Sequence, residues 1–227
     1  MSRHENTLRI RAVSNALQEL RDSVVFVGGA TVSLYADREA EEVRPTDDVD
    51  ILIELISYKE YAAIDEKLRE KGFVNDIESK VICRYKIQGI IVDVMPTSEE
   101  ILGFSNRWYT PGYANAITHQ LTEEVEIRIL APTYFLATKL EAFKNRGKVD
   151  GRTSTDFEDI IFVLNNRVTI WEELKNTIPP LRDYLTESFK ELLENSYKEE
   201  WVGSHLEYSE QERSVFILSS LHEFVNT

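Results

Sequence analysis

Apolar positions in the first half of the chain switch between helical and strand spacing. Leu8, Val13, Leu17 and Leu20 recur at near-helical intervals with charges between them, which predicts a helix over residues 5–22. Val24–Val27 is an uninterrupted apolar run of strand length, ended by Gly28-Gly29. Residues 30–40 return to a helical pattern, with Val32, Leu34 and Tyr35 available for packing. Residues 38–46 are polar and end in Arg44-Pro45-Thr46, a loop leading into a second strand. If residues 48–53 are extended, Asp48 and Asp50 share one face, and Val49, Ile51 and Ile53 face a core.

Residues 58–71 read as an amphipathic helix closed by Gly72. Phe73-Val74 and residues 80–88 follow as strands, and Gly89 marks a turn, so 80–88 should pair with 90–96 as a hairpin. Residues 106–113 look like an aromatic-rich loop that either stacks a nucleobase or covers a core edge. Residues 125–130 predict a last strand. From Pro132 onward the pattern is helical, with helices expected at 133–146, from Ser154-Thr155, and near 169–176, 180–196 and 209–225. The expected architecture is α/β (α+β): a mixed sheet flanked by helices over residues 1–130, then an all-helical domain over 131–227. No internal repeat or low-complexity tract interrupts it.

The net charge of −14 argues against broad binding of nucleic acid by a basic surface; it leaves a local basic strip open and suits a cationic small molecule. The lone cysteine, Cys83, cannot form an internal disulfide and reads as packing, which fits a reducing cytoplasm. The scattered His4, His119, His205 and His222 match no zinc spacing. The N-terminus lacks an apolar signal core and no window approaches a membrane span, so a cytoplasmic protein without membrane contact is expected.

Candidate chemistry centres on Asp48-x-Asp50. Two carboxylates on one strand face converge on the same cations, and their hard oxygens suit magnesium. Asp93 shares its strand face with Ile91 and Met95, where a carboxylate is costly to bury unless something binds it. A strand, Gly28-Gly29 and a helix start together could form an anion site, or serve simply as a tight turn. The P-loop and dinucleotide glycine patterns are both absent. In the helix 133–146, Phe135, Leu136, Leu140 and Phe143 mark the packed face, and Lys139 and Arg146 fall on the same side. Their partner is a bound triphosphate, the solvent or acidic neighbours. Thr155 with Glu158 fits a capping box, in which Asp156 and Asp159 also suit the helix start.

Val27-Gly28-Gly29, Thr46-x-Asp48-x-Asp50 and Asp93 together resemble the polymerase-β-like nucleotidyltransferase fold. Lys139-Leu-Glu-Ala-Phe-Lys-Asn-Arg146, followed by Asp156-x-x-Asp159, is similar to the AbiEii/AbiGii-type nucleotidyltransferase toxins of bacterial toxin–antitoxin and phage-resistance systems. The resemblance covers roughly residues 23–166. It implies that Gly28, Gly29 and Thr46 bind a nucleoside triphosphate such as ATP, and that Asp48, Asp50 and Asp93 hold two magnesium ions. Asp93 would also help deprotonate the attacking hydroxyl, Lys139 would contact the triphosphate or act near the metals, and Arg146 would support it. It assigns no role to Asp156 and Asp159, and it implies tRNA or another RNA as acceptor and a cognate antitoxin as partner. The chain departs from many relatives in having Gly29 where they carry serine, and Asp47 adds a neighbouring acid to the motif. Three other readings stay open: an aminoglycoside-type small-molecule transferase, a protein-modifying enzyme, and a non-catalytic nucleotide-binding protein.

Overall fold

The computed structural model describes residues 2–38, 43–55, 57–103, 105–146 and 150–227. Its contacts divide into two compact units, one of Met1–Leu34 with Glu41–Ala131, the other of Tyr35–Ala40 with Pro132–Thr227.

In the first unit, helix α1 (Ser2–Leu17) buries Asn6, Ile10, Val13 and Leu17, a stripe at spacings of four, three and four residues. Leu8, expected on that stripe, lies off it and is 47% exposed. The α-helix stops where Gln18 adopts φ +52°, and a 3-10 segment continues to Ser23. Strand β1 (Val24–Val27) is fully buried. After it Gly29–Tyr35 winds as a 3-10 helix, not the α-helix its spacing suggested. Strand β2 (Asp48–Ile53) carries the acidic motif, and α2 (Tyr58–Glu70) starts where the Ser57 hydroxyl accepts from the Glu60 amide.

Strands β3 (Val74–Asn75), β4 (Arg84–Ile87) and β5 (Ile90–Pro96) follow. Gln88 and Gly89 both take positive φ between β4 and β5, as a two-residue hairpin turn requires. Residues 80–83, expected in the strand, are not: Lys80 takes φ +59° and Ile82-Cys83 form a turn. The aromatic stretch expected as a loop contributes instead to a helix. After α3 (Glu99–Leu102), α4 runs Tyr109–Ala114, with Pro111 in its first turn, where a missing N–H costs nothing. Trp108 is buried beside it, so it covers the core and offers no open face for a base. Strands β6 (Ile117–Gln120) and β7 (Glu126–Ile129) close the unit.

The seven strands form a mixed sheet in the order β3-β4-β5-β2-β1-β7-β6. The β2–β5 and β1–β7 pairs are parallel and the other four antiparallel. β2 therefore sits inside the sheet, hydrogen-bonded on both sides.

In the second unit the described residues from Pro132 form helices α5 (Pro132–Asn145), α6 (Thr155–Asn166), α7 (Ile170–Lys175), α8 (Leu181–Glu194), α9 (Lys198–Gly203) and α10 (Arg213–Val225). Phe157, Ile160, Ile161 and Leu164 form the buried stripe of α6. Its cap is Ser154, whose hydroxyl accepts from the Phe157 amide, one residue ahead of the expected Thr155 box. Trp201 on α9 packs edge-on against Phe143 and Phe157. Among the described residues, no helix is long and apolar enough to cross a membrane.

Candidate metal-binding site

β2 and β5 run side by side in register, so Asp50 lies directly beside Asp93, and Asp48 beside Ile91. Alternation along each strand then puts Asp48, Asp50 and Asp93 on one face of the sheet. One carboxylate oxygen from each lies within 4.8 Å of the others. Asp48 and Asp50 are half-buried and Asp93 is 9% exposed. Val49 and Ile51 point to the opposite face and are fully buried. Asp47 is exposed and outside the cluster, which fixes the motif as Asp48-x-Asp50.

β1 brings the glycine bend to the same place. Val27 pairs with Asp50, and the next residue, Gly28, turns the chain with φ +73°. A Cβ at Gly28 would stand 1.9 Å from Asp50 Oδ2. A Cβ at Gly29 would stand 2.6 Å from Arg44 Nη2 and 2.9 Å from the Thr46 methyl carbon. The two glycines thus let an acid, a guanidinium and a threonine close on the backbone. The 3-10 helix after them has seven residues, so it does not supply the α-helix N-terminus expected there.

Thr46 is held from α1. Its amide and hydroxyl donate to Asn6 Oδ1 at 3.2 and 3.3 Å, and Asn6 Nδ2 donates to the Arg44 carbonyl at 3.3 Å. Asn6 is fully buried. Nothing in the sequence marks it as a site residue, although its spacing to Ile10, Val13 and Leu17 places it on the packed stripe.

Arg84 is a second site residue that its own segment does not mark. The hairpin register sets it opposite Asp93. Its Nε donates to Asp93 Oδ1 and its Nη2 to Oδ2, both at 2.8 Å. Nη2 also lies 3.5 Å from Asp48 Oδ2. The fork matches the carboxylate at two points, and this hydrogen-bonded pairing pushes the guanidinium pKa further up. Pairing of Ile87 with Ile90 fixes Arg84 against Asp93, so a two-residue turn at 88–89 was the signal that could have found it. Next to it Cys83 is buried, and burial first, then the Asp93 charge, raise its thiol to about 11. The neutral thiol serves packing, as expected.

Among the described residues, Asp48, Asp50 and Asp93 are a carboxylate group that could hold a metal ion. The donor set fits a hard divalent cation, and the bare Gly28 keeps side-chain carbon away from Asp50. Each oxygen of Asp93 already accepts one hydrogen bond from Arg84, so a cation at this site would share Asp93 with a guanidinium or take it from one.

The remaining sequence candidates come together in the second unit. Lys139 is 8% exposed, and its Nζ lies 3.3 Å from Asp156 Oδ1 and 2.6 Å from Asp159 Oδ2. Asp156 and Asp159 are both buried. Arg146 Nη1 stands 2.8 Å from Asp156 Oδ2, but off the line of a hydrogen bond, so the contact is one of charge. Of the partners open to Lys139 and Arg146, acidic neighbours are the ones observed. In comparisons with known proteins, no family model and no curated protein matches this chain.

Proposed function

We propose that the chain is a magnesium-dependent nucleotidyltransferase with a polymerase-β-like catalytic unit. It moves a nucleoside monophosphate from a nucleoside triphosphate, ATP among them, to an acceptor hydroxyl and releases pyrophosphate. The observation that carries the reading is the meeting of Asp48, Asp50 and Asp93 on one sheet face, beside the Gly28 bend. Asp48, Asp50 and Asp93 are the residues that would hold magnesium. When bound there, magnesium supplies charge neutralisation at the phosphates and activates the attacking hydroxyl. Asp93 takes up the hydroxyl proton. Gly28 and Gly29 leave the backbone bare for phosphate oxygens. The resemblance gives Lys139 a triphosphate contact and Arg146 a supporting one; the ion pairs with Asp156 and Asp159 support a structural role for both instead.

For the acceptor, the resemblance favours RNA such as tRNA, with the chain acting as the toxin of a toxin–antitoxin pair. The net charge of −14 favours a second reading, a cationic small molecule of aminoglycoside type. The test incubates the chain with each α-labelled triphosphate, magnesium, and tRNA, aminoglycosides or cell protein. Label in RNA is expected; label in the drug fraction selects the second reading, and label in polypeptide a protein-modifying enzyme. Asp50→Asn should lower transfer by about 100-fold or more. No labelled product from the wild type, or a near wild-type rate from Asp50→Asn, overturns the proposal.

A further inference from the structure

Arg84 stands on the proposed metal ligands themselves. It takes both oxygens of Asp93 at 2.8 Å and reaches to 3.5 Å from Asp48, so one cation already bridges two of the three carboxylates. Resting on the nucleotidyltransferase reading, we propose that Arg84 is a resident counter-ion that competes with the divalent cation for Asp93. The chain then offers its three carboxylates to a cation at full charge only when Arg84 lets go.

The position is a fixed one. Arg84 lies opposite Asp93 in the ladder of β4 and β5, and the two-residue turn leaves that register no slack. Without a cation, three carboxylates within 4.8 Å of one another repel, and the guanidinium relieves this. A divalent ion brings twice the charge of the guanidinium to the same oxygens and has no need of the fork's directionality. An open depression of about 170 Å³, lined by Arg84 itself with Asn75, Asp76, Lys80 and Ile82, leaves space beside the residue for a change of rotamer. Its side chain is also 23% exposed, so the guanidinium can be rehydrated as it leaves. The arrangement keeps Asp93 neutralised when no cation is bound and makes cation binding weaker than three bare carboxylates would allow.

The test is a manganese titration of the substrate-free full-length chain, following loss of the free-ion signal by electron paramagnetic resonance. Arg84→Gln should bind manganese about tenfold more tightly than wild type, the lower end of what close charge pairs contribute. That gain should vanish in Arg84→Gln/Asp93→Asn. Arg84→Lys keeps the charge but loses the fork, so it should fall between wild type and Arg84→Gln; it also serves if Arg84→Gln fails to fold by circular dichroism. Unchanged or weaker binding in Arg84→Gln, or in Arg84→Lys where it is the variant used, overturns the proposal. So does a gain that survives Asp93→Asn, or no manganese binding by any variant. The labelled-triphosphate assay reports separately on the enzyme reading: manganese binding as expected with no transfer product leaves the role of Arg84 standing and removes the transferase.

Discussion

Oδ2 of Asp50 lies 1.9 Å from the point where a side chain on Gly28 would begin. The acid occupies the room that the missing methyl leaves. Gly89 shares the left-handed backbone, with φ +81°, but a Cβ there would meet nothing within 4 Å. The two glycines therefore separate backbone strain from crowding. Gly89→Ala should cost about 1 kcal/mol of stability, the strain alone. Gly28→Ala should cost at least about 1 kcal/mol more, because Asp50 has to turn away. Urea denaturation of both variants reads this directly, and equal losses would show that the contact with Asp50 is not tight. Gly28→Ala should also weaken manganese binding, and Asp50→Asn should do the same.

Lys139 is enclosed with Asp156 and Asp159. Removing it by Lys139→Met leaves two buried carboxylates short of a cation and should cost about 3–5 kcal/mol. Lys139→Met/Asp159→Leu leaves Asp156 with Arg146 and should lose less than the two single losses combined, with a coupling of about 1 kcal/mol or more in urea denaturation. Strict additivity would mean that the pair does not act as a unit. Transfer activity corrected for the folded fraction then separates the two roles open to Lys139: a structural residue leaves it unchanged, a triphosphate contact does not.

Alkaline pH should expose the buried thiol. Cys83 rises from an ordinary 9.0 to about 11 in the folded chain, chiefly through burial. The unfolded chain begins to lose this proton near pH 9, while the folded chain keeps it to about pH 11. The group's contribution to stability is therefore whole below pH 9 and is lost as pH climbs to 11. Burial and the bond to Asp65 raise Tyr85 in the same direction. Cys83→Ala should make the alkaline fall in the denaturation midpoint shallower without abolishing it. A slope that Cys83→Ala leaves unaltered would show that the thiol titrates normally.

The sheet's interior was legible because burial left a strong pattern: Val24–Val27, Asp48–Ile53 and Ile90–Pro96 are apolar on at least one face, and each formed where expected. The edges were not. β6 is exposed along most of its length, so no alternation marks it, and pairing with β7 alone makes it a strand. The start of β4 was overrun because Ile82 looks like core but is 71% exposed at a turn.

Asp48, Asp50 and Asp93 could be found as site residues because an acid inside an apolar strand breaks the pattern around it. Asn6 and Arg84 could not be found that way. Each is an ordinary polar residue in its own segment, and acquires meaning only from a partner 40 and 9 positions away. Lys139, Asp156 and Asp159 were each noticed, but which of them met which depended on how α5 and α6 pack.

The place of β2 inside the sheet bears on how such a chain tolerates change. One face carries Asp48 and Asp50 with Leu52 buried beyond them, the other is aliphatic core throughout, and both neighbours lock its alignment. Gaining or losing one residue within this strand would exchange those faces, driving carboxylates into oil and turning hydrocarbon toward the acidic cluster. Substitution can retune the acids one by one, whereas a change of length here would destroy fold and chemistry together.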